Sequence, residues 1–383
     1  MALQMQPGKL LLAIVLMLCS NLVYAIEVNN LYVADVSADQ SQRQWQSNAL
    51  TQVITRLTGL TDLSAYPAIT SELNNAGKYV KQFESVRHNG ISRLKVLLDA
   101  KLINVLLQQQ EIAIWGAHRP EILVWIVQQQ GADRFFLRQQ DNELVQLLRQ
   151  SLAEHGIPVT LPLYDMDDLM RLSETDVWAG FWQAIDQASN RYRPNMVMTL
   201  AFDEVSQNGD KLLRLSWQRQ APVPGTNQTR IVRNETTAAE YAELVSAFAA
   251  ALTAELAAEQ AVVLQAEHNT YQLAVSNLQS LADVVTVETL LNRVLGVATV
   301  TLSEYSAKEA KFAVNLQIEL SQLTDILRWE PALLLSDTPH STSYNTSYSA
   351  TYSRESGINE PTASAVELNM VSQADIRYVF IRR

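Results

Sequence analysis

Apolar positions switch between two periods along the chain, and the switches mark out its elements. Between residues 26 and 36, Val28, Leu31, Val33 and Val36 stand among polar residues, which predicts a strand. From Ser41 the spacing changes. Trp45, Ala49, Val53 and Leu57 recur every fourth residue with Leu50 and Ile54 beside them, and Gly59 follows where a left-handed helix cap belongs. Pro67 opens a second helix toward Gly77. Residues 79–87 and 91–98 read as two strands around His88-Asn89-Gly90, whose Asn-Gly is a hairpin signal, and 100–109 returns to the helical period. This predicts a small α+β block over 26–115.

A second block starts at Trp115-Gly116-Ala117-His118-Arg119-Pro120. Residues 122–127 are unbroken apolar, the mark of a strand buried on both faces. A helix striped by Leu144, Leu148 and Leu152 spans 142–155 and stops at Gly156. A strand follows over 157–163, with Pro158 and Pro162 placing it at a sheet edge. Asp165 and Thr175 each can start a helix, the second carrying Trp178, Phe181, Trp182 and Ile185. Strands over 196–202, 212–217 and 229–233 precede a long Ala-rich helix over 236–261. Alternating strands and helices predict a middle α/β sheet domain over 116–265, with a partly parallel sheet. Residues 270–335 then read strand, helix, strand, strand, helix, strand, a ferredoxin-like βαββαβ domain. Residues 336–365 form a low-complexity linker rich in Ser and Thr, and 366–383 a C-terminal strand segment. The fold class expected is thus α+β / α/β.

The first 25 residues change the picture of where the protein works. Lys9 precedes an apolar run from Leu10 to Leu18, and Val23 and Ala25 supply small residues before a cleavage point, so Ala25 is the expected end of a signal peptide. The only cysteine, Cys19, follows Leu18 rather than a small residue, so a lipoprotein signal is not expected. Cleavage leaves a mature chain without thiolates, destined for the periplasm. The longest strongly apolar run after it, 122–127, is too short to span a bilayer, so no transmembrane segment is expected in the mature chain. The net charge of −11 supplies no basic footprint for nucleic acid.

Several segments together resemble a family of uncharacterised exported proteins of Gram-negative bacteria, known as a domain of unknown function. They are Ala49-Leu50 through Arg56-Leu57-Thr58-Gly59; Trp115-Gly116, Arg119-Pro120 and Val124-Trp125; Leu161-Pro162-Leu163-Tyr164-Asp165-Met166-Asp167-Asp168; Asp176-Val177-Trp178; Ala188-Ser189-Asn190-Arg191-Tyr192; and Trp217. The resemblance covers residues 26–260 and supplies no catalytic residues. In element order the middle block is also similar to the amino-terminal domain of TolB, a fold-level likeness that carries no function.

Candidate chemistry is sparse. Asp165, Asp167, Asp168 and Asp176 form the densest acidic cluster. Leu169 and Met170 stand where a calcium loop needs a ligand and a turn, so no metal is expected there. Two routes stay open for these carboxylates: capping a helix, with Asp165 as N-cap, or serving as a hydrolase pair. The five histidines have no metal-ligand spacing, and His118 beside Arg119 is the one within a resembling segment. Gly-x-Ser-x-Gly, P-loop and dinucleotide fingerprints do not occur, and no cofactor is expected. All tryptophans except Trp115 and Trp329 fall on stripes or strands that face a core, which favours burial over a ligand platform. The leading expectation is a non-enzymatic binding or envelope-assembly factor acting on an envelope protein or the cell-wall machinery. A periplasmic hydrolase using Asp165, Asp168 or Asp176, and a small-ligand binding protein, are the alternatives.

Overall fold

The computed structural model describes residues 31–88, 91–138, 142–207, 210–223, 229–306, 308–336 and 376–382. The expected signal peptide with Cys19 and Ala25, most of the 336–365 linker and the strand over 366–370 lie outside them. The molecule mixes helices with three sheets, as an α+β / α/β class requires.

The first block begins with β1 (Val33–Ser37) and α1 (Gln42–Thr58). The Ser41 amide donates to Gln44 Oε1 at the helix start, and Gly59 ends it at φ 71° with its amide on Thr55 O at 2.8 Å. A second constraint acts on Gly59. A Cβ there would lie 2.8 Å from Ala257 Cβ and 2.9 Å from Ala254 Cα, so glycine lets this corner approach a helix of the middle block. Next come α2 (Pro67–Leu73), a short 3₁₀ turn, β2 (Val80–His88), β3 (Ile91–Leu98) and α3 (Ala100–Gln109), with Asp99 capping α3. β1 and β2 flank β3 in an antiparallel sheet.

The middle sheet starts with β4 (Ile122–Gln130), which turns at Gly131 into β5 (Asp133–Phe136). β5 escapes the pattern analysis because Asp133 and Arg134 lead it, while Gly131 supplies the positive φ of a tight turn. Along the chain follow α4 (Glu143–Glu154), β6 (Val159–Thr160), α5 (Met166–Arg171), α6 (Glu174–Ala179), α7 (Trp182–Ser189), β7 (Met196–Gln207), β8 (Asp210–Pro222), β9 (Thr229–Ala238) and α8 (Tyr241–Gln260). Sheet order is β5-β4-β7-β8-β9, with β4 and β7 parallel and β6 parallel to the start of β4. The alternation of β4 splits the core. Ile122, Val124 and Ile126 face the layer of α4 and α8, while Leu123, Trp125 and Val127 face the layer of α5, α6 and α7. That is why the run is apolar without a break.

Several boundaries differ from expectation. The strand expected over 157–163 shrinks to two residues between its prolines. The helix expected from Thr175 is two helices: Ser173 caps α6, and Gly180 at φ 70° ends it before α7. Thr236, Thr237 and Ala238 extend β9 opposite Leu215, Arg214 and Leu213, so α8 starts at Tyr241. Trp115, which lies on none of the predicted stripes or strands, is buried as well. Among the described residues α8 is the one helix long and apolar enough to cross a membrane by length and composition, which corrects the expectation that no later stretch approaches spanning length. Isolated glutamates break its apolar run in sequence. Its Leu244, Val245, Phe248, Leu252 and Leu256 are buried against the sheet.

The third block contains β10 (Asn269–Ser276), α9 (Leu281–Asn292), β11 (Val297–Ser306), β12 (Glu309–Leu316), α10 (Leu320–Leu327), β13 (Leu333–Leu335) and β14 (Ile376–Phe380). A βαββαβ unit would pair its last strand with its first. Here the sheet order is β11-β12-β10-β14-β13, so the chain's final strand stands between them, parallel to β10 and antiparallel to β13. The expected βαββαβ element order over 270–335 is present, but β14 makes the sheet five-stranded and separates the pair a ferredoxin-like unit would join. The sheet's core is continuous with that of the first block, and Ile114 at the end of the first block exchanges backbone hydrogen bonds with Val262, just after α8.

Candidate functional site

The expected acidic cluster divides. Asp165 sits at the N-cap of α5, its Oδ1 accepting from the Asp168 amide at 3.1 Å. Both its oxygens also accept from the Arg191 guanidinium at 2.8 Å, a bidentate fork. Asp168, one turn in, is fully buried; Oδ1 accepts from Arg191 at 3.2 Å and Oδ2 from the Tyr192 hydroxyl at 2.5 Å. Tyr192 in turn accepts from the Leu163 amide at 2.9 Å. Asp167 faces solvent, 3.9 Å from Arg191. Asp176 belongs to a separate capping box, accepting from the Ser173 amide at 2.9 Å and hydroxyl at 2.7 Å.

Tyr164, just before the cap, has φ 50°, unusual for a bulky side chain. The turn sends its buried ring under the sheet, where the hydroxyl accepts from the Ile126 amide at 3.0 Å. That amide lies on the edge of β4 between the stretch paired with β6 and the stretch paired with β5, so the tyrosine satisfies a donor that neither short strand reaches. Trp125 meets Tyr164 and Tyr192 edge-on at 5.5 and 6.3 Å, and its indole N–H donates to Ser189 Oγ at 2.9 Å. Three segments that carry the resemblance, around Trp125, Asp165 and Arg191, therefore meet in one network.

The electrostatics suit a scaffold. Arg191, whose hydrogen bond to the carboxylate is the largest influence, holds Asp165 below the usual carboxylate range, and the same pairing raises Arg191. Burial and the bond to Asp168 push Tyr192 up to about 12. A glycosidase-type pair needs one carboxyl kept protonated near neutral pH beside a free carboxylate. Asp165 is biased the other way, and the polar neighbours of Asp168 are already engaged. Among the described residues no three His, Cys, Asp or Glu side chains gather in a metal-holding group.

His118 and Arg119 lie elsewhere, where the three blocks meet. Arg119 is buried and stacks on Trp115 with its guanidinium carbon 3.8 Å from the ring centroid. Its N–H groups reach the carbonyls of Gly116, Trp115, Arg56, His155 and Gly156 at 2.8–3.1 Å. Arg56 reaches back to Glu154 O at 2.6 Å and to Leu31 O and Val33 O. Burial lowers Arg119 to about 9 and Arg56 to about 10. His118 approaches Glu330 at 3.6 Å, both largely buried.

Above the Asp165 network the outer layer exposes apolar side chains: Leu163 at 66%, Met166 at 70%, Met170 at 71% and Phe181 at 56%. Two shallow clefts of about 460 and 470 Å³ run along it. One is lined by Asp167, Arg171, Asn190 and Arg191, the other by Phe181, Trp182 and Ala184, and both share Gln187. Nothing in the local sequence marks Arg191, Tyr192 and Tyr164 as the partners of the aspartates. The signal was present only as a carboxylate cluster in need of a cation; nothing local says that the cation comes after two further helices.

No protein of curated function and no solved structure matches the chain. A family model does match, over the first block and the turn that follows it, not over the whole stretch of the resemblance. Residues 25–116 match the model of a domain of unknown function (DUF8605), and the Asp165 network lies outside the matched stretch.

Proposed function

We propose that this protein is an exported, non-enzymatic binding factor of the Gram-negative envelope, and that it engages a partner protein through the outer layer of α5, α6 and α7. The observation that carries this reading is the exposure of Leu163, Met166, Met170 and Phe181 above a network that satisfies its own carboxylates. Met, aromatic and Arg side chains are enriched where protein interfaces form, and a rigid base keeps such side chains in place. The signal-peptide pattern ending at Ala25 supports the location, and the lowered pKa of Asp165, paired with Arg191, argues against its use as a general acid.

The test is photo-crosslinking in cells, with the reactive residue at position 170 and, for comparison, at Arg149, exposed on α4 in the opposite layer. One partner captured from 170, absent from 149 and lost on Phe181→Asp in a protein of unchanged melting temperature is the expected result. Equal capture from both faces, or none, would contradict it. Intact mass of the periplasmic protein, starting at Ile26 with no lipid, is the accompanying expectation for export.

A further inference from the structure

The third sheet holds its last strand in an unusual place. β14 is inserted between β10 and β13 and pairs with both: Val379 lies opposite Ser276 on one side and Leu334 on the other. In the sheet order β13 is joined to the other strands through β14 alone. The inserted strand buries Tyr378 and Phe380 on its core side. Side-chain bonds from the acceptor side hold its backbone. Ser276 Oγ donates to Tyr378 O at 3.3 Å and Asn277 Nδ2 to Phe380 O at 2.8 Å. Just beyond it, Arg382 forks onto Asp283 at 2.9 and 3.0 Å. The features of a peptide site are all present: a strand pair for the backbone, core space for alternate aromatic side chains, and a carboxylate for a following guanidinium.

Two further observations make this strand removable. In sequence, residues 336–375 separate it from β13. Its departure also leaves a workable sheet. Since β14 is parallel to β10 and antiparallel to β13, β13 already runs antiparallel to β10. A lateral shift of one strand spacing, about 4.8 Å, would pair them directly and give the order β11-β12-β10-β13 of a closed βαββαβ unit. Two such packings of one sheet, differing by one strand, would form a bistable element.

We propose that the space between β10 and β13 is a strand-acceptor site for an extended peptide with aromatic residues at alternate positions followed by arginine, and that the chain's own C-terminal strand is its exchangeable resident ligand. The proposal is independent of the reading of the outer helical layer.

Cysteine pairs in the full chain, with Cys19→Ser, test it. Ser276, Val379 and Leu334 lie in one row across the sheet, so positions 276 and 334 are two strand spacings apart, about 9.6 Å, beyond disulfide reach while β14 is in place. Ser276→Cys with Leu334→Cys should therefore crosslink under mild oxidation only when β14 has left. Free peptide of sequence 376–382 should refill the site and slow that crosslinking roughly tenfold at ten times its Kd, while the peptide with Tyr378→Asp and Phe380→Asp should not. The control pair, Leu334→Cys with Val379→Cys, should close at once. Absence of the 276–334 crosslink while the control closes would overturn the proposal. So would a crosslink whose rate ignores the peptide, which would mean general loosening.

Discussion

Two arginines organise this molecule in opposite ways. Arg119 is buried, meets no carboxylate in its network of backbone carbonyls, and ties together the first block, the loop before β4 and the end of α4. Arg191 is about a third exposed and is neutralised by two carboxylates at the base of the outer helical layer. Both stand in segments that carry the family resemblance, and both sit beside residues that invite a catalytic reading. The difference teaches that charge alone does not mark chemistry. One guanidinium supplies donors to carbonyls near the C-terminal ends of two helices at a junction; the other fixes the position of helices in the outer layer.

The largest expected effect tests the junction. Arg119→Ala leaves several buried carbonyls without donors and an empty space against Trp115, so the unfolding free energy should fall by more than about 3 kcal/mol in urea titration. Arg119→Lys, with three donors for five acceptors, should recover only part of that loss. Gly59→Ala comes next, at about 2–4 kcal/mol, because it combines a positive φ with a contact on Ala254 and Ala257 that backbone cannot relieve. Equal stability of Gly59→Ala and the wild type would mean that α1 and α8 are not held together at that corner.

On the other side of the comparison, Asp168→Ala should cost about 1–3 kcal/mol, since the Tyr192 hydroxyl loses its buried acceptor. The smallest effect belongs to Asp165. Asparagine keeps a capping oxygen, so Asp165→Asn should change the denaturant midpoint little at pH 7, and Asp165→Ala more. The sign with pH follows from its lowered folded pKa. The stabilisation from the charged form is fully present above the unfolded value near 3.9 and is lost as pH falls through the folded value. Any stability gap between wild type and Asp165→Asn should therefore shrink from pH 7 to pH 3; a gap that widens would show that the carboxylate is not held by Arg191.

Much of the fold was legible because single elements declare themselves. The α1 stripe ending at Gly59, the unbroken run of β4 and the Leu144, Leu148 and Leu152 stripe of α4 each follow from periodicity and local hydrogen bonding. What stayed hidden depends on distant partners. The second reason for Gly59 is a helix nearly two hundred residues later. The positive φ of Tyr164 makes sense only once β5 and β6 leave the Ile126 amide without a strand acceptor. The insertion of β14 has no signature in its own alternation, which suits any sheet position. In the candidate site, Asp165 as a helix cap was readable from local spacing, whereas its pairing with Arg191 was not.

The central claim is that the Asp165 network supports a contact surface and does no chemistry of its own. Complementation of a deletion strain by two folded variants tests it most directly. Met170→Asp changes a side chain that is 71% exposed, and Asp165→Asn keeps the cap while removing the charge. The account predicts that Met170→Asp, with unchanged melting temperature, fails to complement while Asp165→Asn complements fully. The reverse pattern, a stable Asp165→Asn protein without function beside a functional Met170→Asp, would contradict it and return the carboxylate to a chemical role.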